Sequence, residues 1–382
     1  MKTLVINAGS SSIKFQVFED ETVLLKAIVE EIGGDNSKIK ISIPKKSEEN
    51  MLLKNHAAAF KEIIRILKEH FTLEDIKCVA HRIVHGGETF RSTTLITEEI
   101  MDKLSELTPI APLHNPPNIE GIKIMSKLLP HAKNVGIFDT AFHSTLPEQA
   151  YLYGIPYSWY TKYHIRKFGF HGTSHKYISQ EAIKRHKPNS RIITCHLGSG
   201  SSICAIKDGK SIDTSMGFTP TQGSIMGTRC GLIDPSIPQY MMNIADLSSK
   251  EVSDILNKKS GLIGLSEISS DMRILEDHKT EPAAKRAIDV FCYRLKKLIG
   301  GYVAALDGLD ILIFTAGIGE NSPYIRKRIC EQFGYLGLKI DELKNDRNEE
   351  VISSKDSKVL VLMIKTNEEL QMVREAKELL RD

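Results

Sequence analysis

Residues 6–20 read INAGSSSIKFQVFED, and this stretch decides the fold because its pattern occurs twice in the chain. A short apolar strand, residues 3–6, runs into a turn of small residues, and a second strand follows it at once. Ile13, Phe15 and Val17 alternate on one face of that second strand, since successive side chains of a strand point to opposite faces. Lys14 therefore lies on the other face, away from the apolar one.

The pattern returns half the chain length later, in residues 191–214, RIITCHLGSGSSICAIKDGKSIDT. Asp208-Gly209 adds a dipeptide that is typical of two-residue hairpins. Two halves that open with the same unit predict a duplicated fold. Small turns expose backbone N–H groups and can bind anions, so two of them facing a cleft would hold a polyphosphate. Ordinary hairpin chemistry is the alternative for one such turn, and their repetition favours phosphate.

Length and composition restrict the class of protein. The 382 residues predict two domains. The net charge of +3 does not indicate binding to nucleic acid or to an anionic membrane surface. The six cysteines form no CxxC pair, so we expect them to be free, buried and reduced. The sequence contains neither a signal-peptide core nor an apolar run near the roughly 20 residues that span a bilayer. We expect a soluble, cytoplasmic protein.

Helices and strands alternate between and after the two hairpins. The periodicity predicts a helix over 56–70, strands over 77–84 and 135–138, and a long helix from Pro282 to Leu306. Residues 44–55 are charged and aperiodic, which predicts a loop. The chain ends in a buried strand and an amphipathic helix, and we expect that helix to return to the first half.

Four segments place reactive residue types where loops are expected. Arg82 lies in HRIVHGGE (81–88), Asp139 in FDTAFHSTLP (138–147), His171 in FGFHGTSH (168–175) and Arg229 in MGFTPTQGSIMGTRCGLIDP (216–235). Three of these residues have a structural alternative: an ion pair for Arg82, a helix cap for Asp139, and a satisfied histidine near a cap for His171. Together with Lys14 and the two turns they favour phosphoryl transfer, whose catalysis is mostly positioning and electrostatics.

The chain resembles the acetate kinase family, within the superfamily of acetate and sugar kinases, heat-shock ATPases and actin. The resemblance covers essentially the whole length and rests on these segments, in family order: INAGSSSIK, HRIVHGGE, APLHNPPNI, FDTAFH, FGFHGTSH, HLGSGSS, MGFTP, MGTR, SSDMR, FTAGIGENS and TNEEL. It implies an α/β fold of two duplicated actin-like ATPase (ribonuclease H-like) domains with a cleft between them. The implied domains are residues 1–142, completed by a C-terminal helix over 370–382, and residues 143–369, with the nucleotide site.

The resemblance also implies an activity. It is the reversible, direct in-line transfer of a phosphoryl group from ATP to acetate, giving acetyl phosphate and ADP, with magnesium (or manganese) and in a homodimer. A propionate kinase, or a relative that uses pyrophosphate as donor, is an alternative within the family. A non-catalytic, nucleotide-gated binding protein is the alternative from another class. Arg82 and the HNPPN segment (114–118) argue against it, because they resemble a site for a small carboxylate.

Residue roles follow from the resemblance, position by position. Asn7 and Glu368 would hold magnesium, Arg82 would bind the substrate carboxylate, and His171 and Arg229 would stabilise the transferring phosphoryl group. A short carboxylate is already ionised at neutral pH, so Asp139 is interpreted as an organiser of the metal rather than as a base. The implied pocket for the methyl group comprises Val84, Leu113, Phe170 and Pro220. The implied phosphate and nucleotide contacts are Ser10, Ser12, Lys14, His196, Leu197, Gly198, Ser199, Gly200, Asp271, Met272, Arg273, Gly317, Ile318, Gly319, Glu320 and Asn321.

The chain departs from the family pattern at several positions. Ser199 replaces an asparagine in HLGNG, and Glu267 stands where glycine is common, close to the implied adenosine site. Lys365 replaces a proline before TNEE. Further changes fall in the Gly-rich segment at Thr221, Gln222, Ser224, Cys230 and Leu232. These changes bear on nucleotide preference and affinity more than on the class of reaction, and Ser199 predicts weaker nucleotide binding.

Overall fold

A computed structural model describes residues 1–9, 11–112 and 115–381. The chain is α/β, as predicted, and divides into two compact units. Unit 1 comprises Met1–Phe142 and Asn367–Asp382, and unit 2 comprises His143–Thr366. The C-terminal segment thus belongs to the unit that contains the first hairpin.

Unit 1 is built on a mixed sheet. Across its described residues the strand order is β5-β4-β3-β2-β1-β6-β8-β7. The strands are β1 (Lys2–Ala8), β2 (Ile13–Glu19), β3 (Thr22–Glu30), β4 (Lys38–Ile43), β5 (Ser47–Asn50), β6 (Ile76–Ile83), β7 (Thr94–Leu95) and β8 (Lys133–Phe138). The helices of this unit are α1 (His56–His70), α2 (Glu98–Glu106), α3 (Asn115–Leu128) and, at the C-terminus, α15 (Glu368–Leu379), with a 3-10 turn at Leu73–Asp75.

Unit 2 has a sheet of order β11-β10-β9-β12-β13 over its described strands. They are β9 (Arg191–Leu197), β10 (Ser201–Lys207), β11 (Lys210–Thr214), β12 (Ile311–Thr315) and β13 (Leu360–Met363). The helices are α4 (Glu148–Tyr151), α5 (Tyr157–Tyr163), α6 (Gly172–Arg185), α7 (Ser236–Ala245), α8 (Ser249–Lys258), α9 (Gly261–Ser266), α10 (Met272–Asp277), α11 (Pro282–Ala305), α12 (Ala316–Asn321), α13 (Pro323–Cys330) and α14 (Glu342–Asp346). Short 3-10 helices lie at Ala141–Thr145 and Glu331–Leu336.

The two sheets share one topology. In unit 1, β3, β2 and β1 pair antiparallel, and β1, β6 and β8 pair parallel. In unit 2, β11, β10 and β9 pair antiparallel, and β9, β12 and β13 pair parallel. The same order with the same strand directions occurs in both units, which confirms the duplication predicted from the repeated hairpin.

Helices cover both faces of the unit 1 sheet. On one face, β-strand residues such as Phe15 pack with Phe60 of α1 and Met125 of α3 in one apolar cluster. On the other face, residues of β1, β2, β6 and β8 pack against α15 through Met372 and Val373. The central strands β1, β2, β6 and β8 are therefore buried along most of their length, as is usual where both faces of a sheet are covered.

Local sequence signals correctly predicted where several helices begin. Helix α1 begins at His56 after the cap Asn55, Ser248 forms a capping box at the start of α8, and α11 begins at Pro282. The predicted loop at 44–55 is wrong in part, because residues 47–50 form the edge strand β5. All four of its residues are exposed, so its sequence contains no apolar alternation that would indicate a strand.

The cysteines agree with their prediction. All six are free, and only Cys230 is not fully buried. Within the residues that the structure describes, none of the helices combines the length and the apolar character needed to cross a bilayer.

Candidate active site

Near the carboxyl ends of strands β1 and β6 in the unit 1 sheet, the side chains on one face change from apolar to polar or charged from one residue to the next on that face. Val5 and Ala80 lie in the apolar cluster under α15, and the next residues on the same face of their strands are Asn7 and Arg82. Lys14 is paired directly with Asn7 across β1 and β2, so it projects from the same face. The sheet therefore gathers a lysine, an arginine and an amide at this edge.

Asp139 joins this group as the partner of Arg82. Nε of Arg82 donates to Oδ1 of Asp139 at 3.0 Å, and Nη2 donates to Oδ2 at 2.6 Å. The side chain of Asp139 is 2% exposed and that of Arg82 is 20% exposed, so this is a nearly buried, bidentate ion pair. Burial lowers the pKa of Arg82, but Asp139 and Glu368 outweigh burial and raise it above the ordinary value. Among the described residues, Nη1 of Arg82 has no hydrogen-bond acceptor.

Glu368 brings a further, partly buried carboxylate to the same edge. It is the first residue of α15, which packs on β1, β6 and β8. Burial, together with the negative charges of Asp139 and Glu369, raises the pKa of Glu368 to about 7, although Arg82 and Lys14 act in the opposite direction. This edge of unit 1 thus has more negative charge than its own cations neutralise.

The donors at this edge fit magnesium in type. The described residues contain no group of three or more His, Cys, Asp or Glu side chains that could hold a metal ion. They offer instead the Glu368 carboxylate and the Asn7 amide, with Asp139 already bound by Arg82. Magnesium prefers such oxygen donors, and it commonly binds through one or two carboxylates while it keeps several waters. The implied roles of Asn7 and Glu368 are therefore compatible with this edge.

Two asparagines of the HNPPN segment hold the strand ends, a role that our reading of the sequence missed. Asn118 accepts from the Val84 N–H at 3.2 Å and donates to the Ala8 carbonyl at 2.7 Å. Asn115 accepts from the His85 N–H at 3.3 Å and donates to the His85 carbonyl at 3.1 Å. Both asparagines are buried, so they replace sheet partners where β1 and β6 end. The two asparagines that flank Pro116 and Pro117 were the available signal.

In unit 2 the turn between β9 and β10 carries the second Gly/Ser motif. The Gly198 N–H donates to the Gly200 carbonyl at 3.0 Å, and the Gly227 N–H donates to the Ser199 carbonyl at 3.0 Å. The second bond fastens the Gly-rich segment that contains Arg229 to the turn. Ser199 itself is exposed.

Arg229 lies beside this turn without a counter-ion. Its Nη1 donates to the Pro220 carbonyl at 3.3 Å and contacts Sδ of Met226 at 3.7 Å, and no described carboxylate pairs with it. Burial therefore lowers the pKa of Arg229 from its ordinary value. A Cβ added at Gly200 would lie 3.6 Å from this Nη1 and 3.4 Å from Nε2 of His171. The turn thus exposes its backbone between a cation and an imidazole.

His171 is held in place by its neighbours. It caps α6 in a left-handed conformation, with φ of 56°, and its ring stacks on His196 with 4.2 Å between centroids. Its Nδ1 lies 2.9 Å from Oγ of Ser202.

A cavity of about 700 Å³ in unit 2 gathers half of the residues implied to bind phosphate or nucleotide. The predicted residues that line it are Gly198, Ser199, Asp271, Met272, Arg273, Gly317, Ile318 and Asn321. Ser270, Glu276 and Ser322 also line it and were missed. Oγ of Ser322 donates to Glu276 at 2.5 Å, and burial raises the pKa of Glu276. A lone glutamate in α10 gave no sequence signal for this position.

Other residues of that implied set have structural roles. Leu197 is fully buried in β9. The Glu320 carboxylate accepts from the N–H groups of Ala316 and Thr366, at 2.9 and 3.0 Å, and the Gly319 carbonyl accepts from Nη1 of Arg326 at 2.9 Å. In the first hairpin the Gly9 N–H donates to the Ser12 carbonyl at 2.8 Å, and Ser10 lies outside the described residues.

The residues implied for the methyl pocket belong to different units. Val84 belongs to unit 1, whereas Phe170 and Pro220 belong to unit 2. Phe170 is 2% exposed. Leu113 lies outside the described residues.

Comparison with known proteins identifies the family. The sequence profile of the Acetokinase family matches residues 2–374. The chain belongs to the acetokinase family. It is 50% identical over 400 aligned positions to the acetate kinase of Coprothermobacter proteolyticus, with 100% of this chain and 99% of that protein covered.

Solved structures of the family agree with this assignment. The structure superposes on Porphyromonas gingivalis acetate kinase with a TM-score of 0.94 at 40% identity, covering 99% of both chains. It also superposes on a propionate kinase from Francisella tularensis with a TM-score of 0.94 at 41% identity, covering 98% of both chains. The predicted family resemblance and fold class are thereby confirmed.

Glu267, which the family resemblance places at a glycine position, has a backbone conformation that favours glycine. It ends α9 in the left-handed region, with φ of 58°, where its N–H donates to the Ile263 carbonyl at 2.8 Å. It is exposed and is not among the residues that line the cavity. The replacement of glycine therefore strains the backbone at a helix end, where glycine is favoured.

We expect Glu267→Gly to raise the free energy of unfolding by about 1 kcal/mol, because glycine adopts this conformation without strain. The KM for ATP should stay unchanged. Chemical denaturation and ATP titrations measure the two quantities. Glu267→Ala is the matched control, since it removes the carboxylate, keeps the Cβ and should give no gain. Equal stability of the glycine and alanine variants would contradict the argument from φ.

Proposed function

We propose that this protein is an acetate kinase that transfers a phosphoryl group from ATP to acetate, reversibly and directly, giving acetyl phosphate and ADP. The observation that carries the proposal is the partly buried Arg229, which pairs with no described carboxylate, beside the Gly200 turn and next to a cavity of nucleotide size. A partly desolvated cation that no described carboxylate neutralises is costly, and a bound polyanion would compensate its charge.

The donor side belongs to unit 2. In the proposal the nucleoside occupies the cavity lined by α10 and α12, and its phosphates lie at the turn that ends β9. Arg229 and the imidazole of His171 flank Gly200, so both would stabilise charge on the transferring group. A pyrophosphate donor would leave a cavity of about 700 Å³ largely unused, which favours ATP over that alternative.

The acceptor side belongs to unit 1. Acetate is ionised at neutral pH, because its pKa of about 4 to 5 resembles that of Asp and Glu side chains. It needs a cation and no general base, and Nη1 of Arg82 offers donors that no described residue occupies. Asp139 accepts hydrogen bonds from Nε and Nη2 on the other edge of the guanidinium and thereby orients it. We therefore assign Asp139 the positioning of Arg82, in addition to its place near the metal.

Magnesium is part of the proposal. Asn7 and Glu368 would hold it, and the bound ion would neutralise negative charge on the phosphate oxygens. The excess of carboxylate over cation at that edge supports this assignment.

The magnesium assignment predicts the thermal behaviour of Glu368→Gln. At pH 8 and without magnesium, the Tm of the variant should equal or exceed that of the native protein, because the substitution removes a charge that desolvation and the neighbouring carboxylates disfavour. Added magnesium should raise the Tm of the native protein and leave that of the variant unchanged. Differential scanning calorimetry with and without magnesium tests both parts. Glu369→Gln, at the next position, is the control and should keep the response. An equal magnesium response in Glu368→Gln would contradict the assignment.

A substrate panel tests the activity. Acetate, propionate and butyrate, each with ATP, GTP or pyrophosphate, are scored by kcat/KM for acyl phosphate formation. We expect acetate with ATP to give the highest value. A preference for propionate would instead favour the propionate kinase alternative, since one methylene changes binding by only about 1–3 kcal/mol. Turnover with pyrophosphate alone, or no turnover at all, would refute the proposal.

The proposal includes a homodimer in the cytoplasm. Free cysteines agree with a reducing compartment. Helix α7 has no buried residue, yet Ile237, Tyr240, Met241 and Ile244 repeat at helical spacing and are 45%, 62%, 38% and 68% exposed. An apolar stripe of this kind is typical of a protein interface, and a second copy of the chain is its proposed partner.

We expect Ile244→Glu to turn the dimer into a monomer, because it places a charge in the apolar stripe. Light scattering coupled to size-exclusion chromatography measures the mass of each protein. Gln239→Glu adds the same charge on the exposed polar face of α7 and should remain dimeric. A monomeric native protein, or a dimeric Ile244→Glu, would contradict this part of the proposal.

A further inference from the structure

Behind His171 lies a chain of buried polar side chains that the proposed function does not use. Nδ1 of His171 lies 2.9 Å from Oγ of Ser202, and the same Oγ lies 2.7 Å from Nε2 of His175. Nδ1 of His175 lies 2.7 Å from Oγ1 of Thr194, which approaches the carbonyl of Cys204 at 3.5 Å. Ser202, His175 and Thr194 are all 0% exposed.

The local structure explains why these groups meet. His171 and His175 are four residues apart at the start of α6, so they lie on the same side of the helix. Thr194 of β9 and Ser202 of β10 come from neighbouring antiparallel strands, where Ser202 pairs with His196 and Cys204 pairs with Thr194. Ser202 is therefore placed between the two histidine rings.

We propose that Ser202 and His175 are positioning residues that fix the orientation and the tautomer of His171, with its proton on Nδ1 and with Nε2 directed at the Gly200 turn. The kinetic part of this inference rests on the proposed function, in which His171 stabilises the transferring phosphoryl group. The structural part does not.

The donor-to-acceptor direction of these hydrogen bonds follows from the end of the series at Thr194. Burial and the neighbouring His143 and His196 lower the pKa of His175 well below its ordinary value, so it is neutral and has one donor and one acceptor. The Thr194 hydroxyl donates to the Cys204 carbonyl, so its oxygen accepts from Nδ1 of His175. Nε2 of His175 then accepts the Ser202 proton, and the Ser202 oxygen accepts from Nδ1 of His171.

This direction has a chemical consequence for His171. With Nδ1 already donating, a proton can be added at Nε2 to form the imidazolium while every other hydrogen bond in the chain stays in place. If the hydrogen bonds ran in the opposite direction, the Ser202 hydroxyl would donate to Nδ1 of His171. In the imidazolium form Nδ1 would also carry a proton, so the Ser202 hydroxyl and Nδ1 would be two donors facing each other. Nε2 lies on the side of Gly200 and Arg229, where a cation would act on a phosphoryl group.

The tautomer is the direct test. Long-range ¹H–¹⁵N spectra of the full chain labelled with ¹⁵N-histidine distinguish the two neutral forms, and His171→Gln assigns the signal. We expect His171 to be protonated at Nδ1 in the native protein and to become a mixture of tautomers in Ser202→Ala. Thr194→Val, which keeps the shape of the side chain and removes the hydroxyl, is the second variant. In it, too, His171 should become a mixture of the two tautomers. Ser179→Ala removes a buried hydroxyl elsewhere in α6 and is the matched control, for which no change is expected.

Kinetics provide the second readout. Ser202→Ala should lower kcat at least about tenfold and leave the KM values for acetate and ATP within about twofold, because misorientation acts on the transition state. In the His171→Gln background the same substitution should have no further effect, since the chain acts through His171. His175→Gln, which retains a donor and an acceptor, should keep more activity than His175→Leu.

The outcomes separate this inference from the proposed function. A native His171 protonated at Nε2, or a tautomer unchanged in both Ser202→Ala and Thr194→Val, would overturn the inference. An additive effect of Ser202→Ala in the His171→Gln background would also overturn it. If the native protein shows no turnover with acetate, the proposed function fails, and the spectra still decide the tautomer.

Discussion

Arg229→Gln is expected to lower kcat/KM for acetate and ATP at least about a hundredfold without lowering the free energy of unfolding. We expect kcat/KM to fall while the free energy of unfolding does not, because Arg229 has no carboxylate partner among the described residues. Its guanidinium is partly desolvated in the free protein, and its partners within the described residues are a carbonyl and a sulfur. A neutral side chain of similar length relieves that cost and removes the charge that the transferring phosphoryl group would meet.

The measurement combines initial rates with chemical denaturation of the same preparations. Arg286→Gln is the matched control, because that arginine is exposed and donates only to the Leu265 carbonyl in the described structure. It should leave kcat/KM unchanged. A value for Arg229→Gln within about threefold of the native protein would remove the main observation behind the proposed function.

Arg82→Ala is expected to damage both activity and stability. It should lower kcat/KM about a hundredfold and the free energy of unfolding by about 3 kcal/mol. The loss of stability follows from Asp139, whose buried carboxylate would be left without the two hydrogen bonds that Nε and Nη2 donate. Removing one partner of a buried pair costs more than the pair itself contributes.

A double-mutant cycle with Asp139→Asn tests this explanation. The double variant should be more stable than Arg82→Ala alone, because the uncompensated charge is gone, and it should stay inactive. Arg82→Lys keeps the charge and loses the bidentate geometry, so it should recover part of the stability and little of the activity. Additive stability losses in the cycle would show that Arg82 and Asp139 do not act as a pair.

Much of the fold was predictable because its signals are local. The two Gly/Ser hairpins, the Asp208-Gly209 turn, the cap at Ser248 and Pro282 at the start of α11 each depend on a few neighbouring residues. The edge strand β5 was missed for the same reason, since its exposed residues lack alternation and its pairing with β4 is a tertiary contact. The positive φ of Glu267 also had no signal in a single sequence.

For the site, the sequence by itself determined which residue types are present and that they lie at the ends of strands and at turns. Only the tertiary structure decided how they pair. Arg82 meets Asp139 across 57 positions of the chain, Asn118 reaches Ala8 across 110, and Arg229 pairs with no carboxylate of the described residues. The physical reason is that a strand or a turn is specified by neighbours along the chain, whereas the partner of a buried charge is selected by residues that folding brings together, and its cost or gain depends on the water that they exclude.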